Sequence, residues 1–250
     1  MEFGEILKKL KKVDIQLIFE DIDKYTEGRH TVAFMVFNVN LLRAVILLAQ
    51  PDSKNYSISV LNKSFIYPSN PKYEVTLIFL VTSLEIYLRQ LFTALLYIKI
   101  KESKDFLYEI SDIINIGVQK FKDIISIENL EELVNKLFKV VVLNFQDKDF
   151  TKAAFKKLSI NLVEIIGRED KDLWRRIYSK EEEKPAKIGY IRIRNQLIHK
   201  GFQTVILLAK LLDEVFIEKA ILDMTKFVYD IESEIVLKYP KKQFSTIYFR

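Results

Sequence analysis

Glycine and proline together fill only 11 of the 250 positions, 6 and 5 respectively. Roughly 12% is the usual share of these two residues. Sandwiches, barrels and doubly wound sheets spend them on tight turns. Their scarcity predicts a mainly α chain with few tight turns. The chain is 49% hydrophobic and 29% charged, enough to bury a sizeable core. Cysteine is absent, so disulfide frameworks, thiol nucleophiles and thiolate metal sites are excluded. Only two histidines occur, His30 and His199, and any imidazole chemistry must use one of them or copies of one in an oligomer.

Apolar spacing predicts the elements. Residues 5–27 carry Ile6, Leu10, Val13, Leu17, Ile18 and Ile22 at helical intervals. Residues 31–50 are apolar nearly all round and fit either a buried helix or a strand pair. Residues 51–72 hold three of the five prolines, and 56–60 and 64–67 flank Leu61-Asn62-Lys63 as a weak hairpin signal. That stretch is the best boundary. It separates a mostly helical N-terminal extension, 1–71, from a helical bundle, 72–250. Helices are expected over 73–100, 105–116, 129–143 and 150–166. The charged connection 168–187 holds one amphipathic turn around Trp174 and Ile177. Pro185 can open a helix running over 188–200, Gly201 breaks it, and a last helix covers 203–237.

The net charge is +5, but it is unevenly spread. Residues 168–200 hold ten Lys/Arg against six Asp/Glu, and 238–250 hold four basic residues and no acid. Such patches attract nucleic acid through counterion release, and a Lys-rich solvated surface is the plain alternative. The apolar stretches 31–50 and 75–100 are interrupted by Asn38, Asn40 and Arg43, and by Glu85, Arg89 and Gln90. Charges near a spanning helix's centre cost roughly 2.5–3.5 kcal/mol each, so both are expected as buried helices and no membrane partner is expected. The first twelve residues lack the apolar core of a signal peptide. A cytoplasmic protein is expected.

The segment from Ile191 to Gly201 stands out. On an ideal helix Arg194 falls within the apolar arc of Tyr190, Ile191, Ile193, Leu197 and Ile198, while Arg192, Asn195 and His199 share the opposite face. An arginine aimed into an apolar arc is costly unless a carboxylate, a partner chain or a phosphate meets it. His199 lies one turn beyond Asn195, whose amide is placed to orient the imidazole.

Arg194-Asn195-Gln196-Leu197-Ile198-His199 resembles the hallmark of the HEPN family, Arg-x(4–6)-His late in a small helical bundle. The helix carrying Ser83-Leu84-Glu85-Ile86-Tyr87-Leu88-Arg89 is similar to the acidic helix of many members. The resemblance covers roughly 72–237 and implies a HEPN-like helical bundle. It also implies a metal-independent endoribonuclease, needing no cofactor, that cleaves RNA by attack of the adjacent 2′-hydroxyl. In that reading His199 transfers protons, Arg194 holds phosphate and Asn195 orients, with Arg192, Lys200 and Glu85 as further substrate-binding candidates. Imidazole titrates near neutrality, and guanidinium offers a bidentate fork to phosphate. One chain supplies one usable histidine, so a homodimer with a composite cleft is expected. By resemblance the partners are RNA and a cognate antitoxin or regulatory protein, in toxin–antitoxin or antiviral defence.

Alternatives stay open. A non-catalytic HEPN module would bind RNA, a nucleotide or a partner protein. Arg194 is alternatively a structural arginine paired with Glu85 or another acid, and Glu85 itself has a plain partner in Arg89 one turn on. His199 is then a helix-ending cation, and His30, beside Gly28 and Arg29, a turn residue. Dinucleotide, P-loop, zinc-protease and serine-hydrolase motifs are missing.

Overall fold

A computed structural model describes residues 30–50, 57–60, 63–66, 70–114, 116–141, 143–167, 170, 172–179, 188–199 and 211–239. The fold is mainly α, as the glycine and proline scarcity predicts. Ten helices and one hairpin occur among the described residues. The expected helix over 5–27, Pro185, Lys200, Gly201 and the tail beyond 239 lie outside them.

The apolar run at 31–50 is a helix, α1 (Val32–Ala49), capped by Thr31, whose side chain accepts from the Phe34 backbone N–H. His30 stacks on Phe34 with ring centroids 4.8 Å apart; Gly28 and Arg29, beside which a turn is expected, lie outside the described residues. The hairpin follows as β1 (Ser57–Val60) and β2 (Lys63–Ile66), antiparallel with Ser57 opposite Ile66 and Val60 opposite Lys63. Asn70 then caps α2 (Pro71–Glu102), with proline in the first turn where no N–H is missed. Next come α3 (Phe106–Ile114), α4 (Val118–Ile125), α5 (Leu130–Val140), α6 (Lys148–Lys157), α7 (Leu162–Gly167), α8 (Leu173–Tyr178), α9 (Tyr190–His199) and α10 (Glu214–Lys238).

α2 is the axis of the molecule. α1, α3, α5, α9 and α10 all pack on it. Leu77, Leu80, Leu84, Tyr87, Leu88 and Leu91 along it are completely buried. Phe34, Phe37 and Leu41 of α1 join the same core as Phe227 and Ile231 of α10. Residue 71 therefore does not divide two cores: α1 is part of the bundle, not an appendage to it. By length and apolar character α1 and α2 meet the requirement for crossing a membrane, yet 50% and 56% of their apolar windows are buried inside the bundle.

Three elements differ from the periodicity. The expected helix over 150–166 is two, because Ser159 adopts a left-handed conformation with φ 62°. The N–H groups of Ser159 and Ile160 turn back to the carbonyls of Lys156 and Phe155 at 2.9 Å, closing α6 as a glycine would. α4 stands where the apolar spacing predicts no helix; it is short and mostly exposed. Finally, α10 starts at Glu214 and not at 203; its cap Asp213 accepts from the Phe216 N–H at 2.7 Å. Residues 203–210 lie outside the described residues.

Candidate functional site

The motif helix α9 is only ten residues long, so its position depends on what grips it. Tyr190, its first residue, donates to Asp223 Oδ2 of α10 at 2.7 Å. Arg176 of α8 holds the same carboxylate with Nε at 2.6 Å and Nη2 at 2.9 Å, and also pairs with Asp170. Such a bidentate fork is among the stronger ion-pair geometries. Burial and the facing Asp223 push the Tyr190 phenol well above its usual range. This network ties α8, α9 and α10 together.

Gly189 sets the approach. Its N–H donates to the Ser179 carbonyl at 3.1 Å, and its own carbonyl accepts from Ile193 at 3.0 Å. A Cβ placed there would collide with the Ser179 nitrogen and sit 2.8 Å from the Ile177 oxygen. Both are backbone atoms and cannot swing aside. Gly189→Ala is therefore expected to cost about 2 kcal/mol, the usual scale of overpacking. Denaturant unfolding measures it, and a loss under about 0.5 kcal/mol would show that the approach is not tight.

The structure brings some of the expected site residues together and separates others. Arg194 is nearly buried, at 7% exposure. Its guanidinium pairs with the carboxylate of Glu85 on α2. The anion that an arginine in an apolar arc requires is thus an internal carboxylate. The expected Glu85–Arg89 pair is not formed. Arg89 donates instead to the Leu143 carbonyl at 3.1 Å, because α9 packs on α2 and delivers the buried Arg194 to Glu85. Burial pushes the Arg194 guanidinium below its usual value, and the facing carboxylate makes its charge tolerable there.

Asn195 does not orient His199. Its Nδ2 donates to Gln146 Oε1 at 2.9 Å, and its buried Oδ1 has no partner among the described residues. His199 is exposed at the end of α9. Arg192 is half-buried on the same helix. Lys200 lies outside the described residues. The site is thus a polar seam between α2, α9 and the turn at 144–147, with Arg194–Glu85 at its inner end; His199 is exposed at the C-terminal end of α9. Gln146 and the Arg176–Asp223–Tyr190 network have no counterpart in the sequence motifs. Their partners lie 49, 47 and 33 positions away, and no local pattern encodes such pairings. Among the described residues no group of three or more His, Asp or Glu is placed to hold a metal ion.

Comparison with protein-family models, with characterised proteins and with solved structures finds no match for this chain.

Proposed function

We propose that this chain is a HEPN-like, metal-independent endoribonuclease, cleaving RNA at a site completed by two copies of the chain. The observation that carries the reading is the seam itself. One short helix holds an arginine fixed by an internal acid and, one turn and a half on, an exposed histidine. An exposed imidazole reaches substrate and exchanges protons with water. His199 removes or returns the proton of the 2′-hydroxyl and leaving oxygen, and Arg194 stabilises phosphate charge when substrate competes with Glu85. Asn195, held by Gln146, keeps an acceptor within the seam. The partner chain supplies the second His199 that acid and base work together require. A toxin or antiviral effector, cytoplasmic and restrained by a cognate antitoxin or regulatory protein, fits this chemistry.

The test is cleavage of RNA with EDTA present. Wild type is expected to cleave, and His199→Ala to lose roughly 10²–10⁴-fold in rate, the range for a general acid–base group. Equal rates overturn the reading. A second reading is favoured by the same Arg194–Glu85 pair, since within one chain the guanidinium is already engaged: a non-catalytic module binding RNA, a nucleotide or a partner protein. Binding without cleavage by wild type selects it.

A further inference from the structure

We infer that Lys148, Lys152 and Lys156 of α6 form a track for the phosphates of a single RNA strand leading to the α9 seam. The inference deepens the ribonuclease reading above and rests on it for the identity of the strand. The three lysines recur every four residues, so they line one face of α6 at a rise of about 6 Å per step. That is close to one nucleotide of extended strand.

Three observations carry it. First, among the described residues none of the three meets a carboxylate, although other lysines do. Lys157 lies 3.3 Å from Asp112, Lys226 3.2 Å from Asp230 and Lys99 3.0 Å from Glu102. The acids adjoining the ridge in sequence and on α8 have other roles. Asp147 caps α6 by accepting from the Asp149 and Phe150 N–H groups at 2.9 Å. Asp149 is exposed and its charge partly offsets the lowering at Lys148 without forming an ion pair, and Arg175 of α8 pairs with Asp172 at 3.4 Å.

Second, the start of the ridge is placed against its own stability, although Lys156 in the last turn suits the helix dipole. Like charges four apart on a helix repel, and a cation in the first turn opposes the helix dipole. Lys148 is the first residue of α6. Burial and the neighbouring Lys152 both push its ammonium below the usual value. Lys152 is steadied by the Trp174 ring, its Nζ 5.5 Å from the centroid. The unfavourable placing of Lys148 beside Lys152 is accounted for by a polyanion that neutralises both.

Third, the ridge starts at the seam. Lys148 is two residues beyond Gln146, which holds Asn195 of the motif helix at 2.9 Å. A strand lying along α6 is directed toward Arg194 and His199.

The experiment uses the full chain and a labelled uridine 12-mer, with binding measured from roughly 50 to 300 mM salt. Each lysine–phosphate contact contributes about 0.7 to the slope of log K against log salt for single strands. The triple variant Lys148→Gln, Lys152→Gln, Lys156→Gln is expected to lower that slope by about 2. Lys148→Gln alone is expected to melt no lower than wild type while binding more weakly, which a purely structural lysine does not do. An unchanged slope overturns the track. If His199→Ala abolishes cleavage at the same time, the ribonuclease reading stands without it. A lowered slope in a chain that never cleaves RNA keeps the track and overturns the nuclease. DNA of equal length and vesicles rich in anionic lipid are the controls. Binding of vesicles tighter than RNA, lost in the triple variant, overturns the assignment to RNA.

Discussion

Replacing either Glu85 or Arg194 by alanine is expected to destabilise the bundle by about 4 kcal/mol, because each change leaves a poorly hydrated charge facing nothing. The side chains are 21% and 8% exposed, so solvent relieves little of that cost. Two further variants separate the pair from ordinary packing. Glu85→Gln keeps an acceptor for the guanidinium and loses only the charge, so its cost is smaller. Glu85→Leu combined with Arg194→Met replaces both charges by apolar side chains and recovers much of the loss, as with other buried pairs. Denaturant unfolding of the cycle is expected to measure a coupling of about 2 kcal/mol or more, within the range for contacting sites. Additivity within about 0.5 kcal/mol would mean that the two side chains do not meet. For the site, the pair has a second meaning. Phosphate reaches Arg194 only by displacing a carboxylate, so Glu85→Gln should strengthen anion binding even as it weakens the fold.

Stability is expected to fall by about 3 kcal/mol between pH 4.5 and 8 through a single carboxyl, that of Glu232, since each pH unit between its folded and unfolded titration is worth about 1.36 kcal/mol. Glu232 is completely buried on α10. It accepts from the Thr31 backbone N–H at 2.5 Å, from the Thr31 hydroxyl at 2.9 Å and from the Tyr87 hydroxyl at 3.3 Å. Loss of water raises its pKa from 4.5 to about 7, against the opposing pull of those donors. The folded chain therefore keeps a proton that the unfolded chain has already released. Below pH 4.5 both states hold it and nothing is lost. Between 4.5 and 7 the unfolded state binds fewer protons, so stability declines as pH rises, and above about 8 the decline levels off as the folded carboxyl ionises in turn. Glu232→Gln removes this dependence. Its unfolding free energy should gain on that of wild type steadily across the window. A constant gap between the two curves would show that Glu232 does not titrate there.

How much of this is legible in the sequence depends on the reach of each interaction. The mainly α fold follows from the scarcity of glycine and proline, since a chain with few turn residues has few alternatives. The apolar arc around Arg194 demands an anion, and Glu85 is among the residues that can supply it. The demand is local and energetic, so sequence exposes it. The choice between Arg89 and Arg194 as the partner of Glu85 is not local, because it depends on α9 packing against α2. The same applies to Asn195, whose neighbour Gln146 comes from a turn 49 positions away. The break at Ser159 is invisible for another reason: a serine stands where a helix end of this kind usually has glycine. Glu232 carries no local sign at all, since an acid within an amphipathic helix ordinarily faces water.

The Thr31–Glu232 contact joins positions 201 residues apart. A ribosome delivers α1 early and α10 late. Through most of synthesis the start of α1 is without its acceptor, and Phe34, Phe37 and Leu41 are without the α10 side chains that help to cover them. Closing so long a loop adds little to the final free energy, because the entropic cost grows only with the logarithm of length. Its effect falls on timing. Long-range contacts form last and leave apolar surface open in the interim. A nascent chain halted before residue 232 thus leaves α1 exposed, which makes that helix a natural target for chaperones and for degradation of incomplete product.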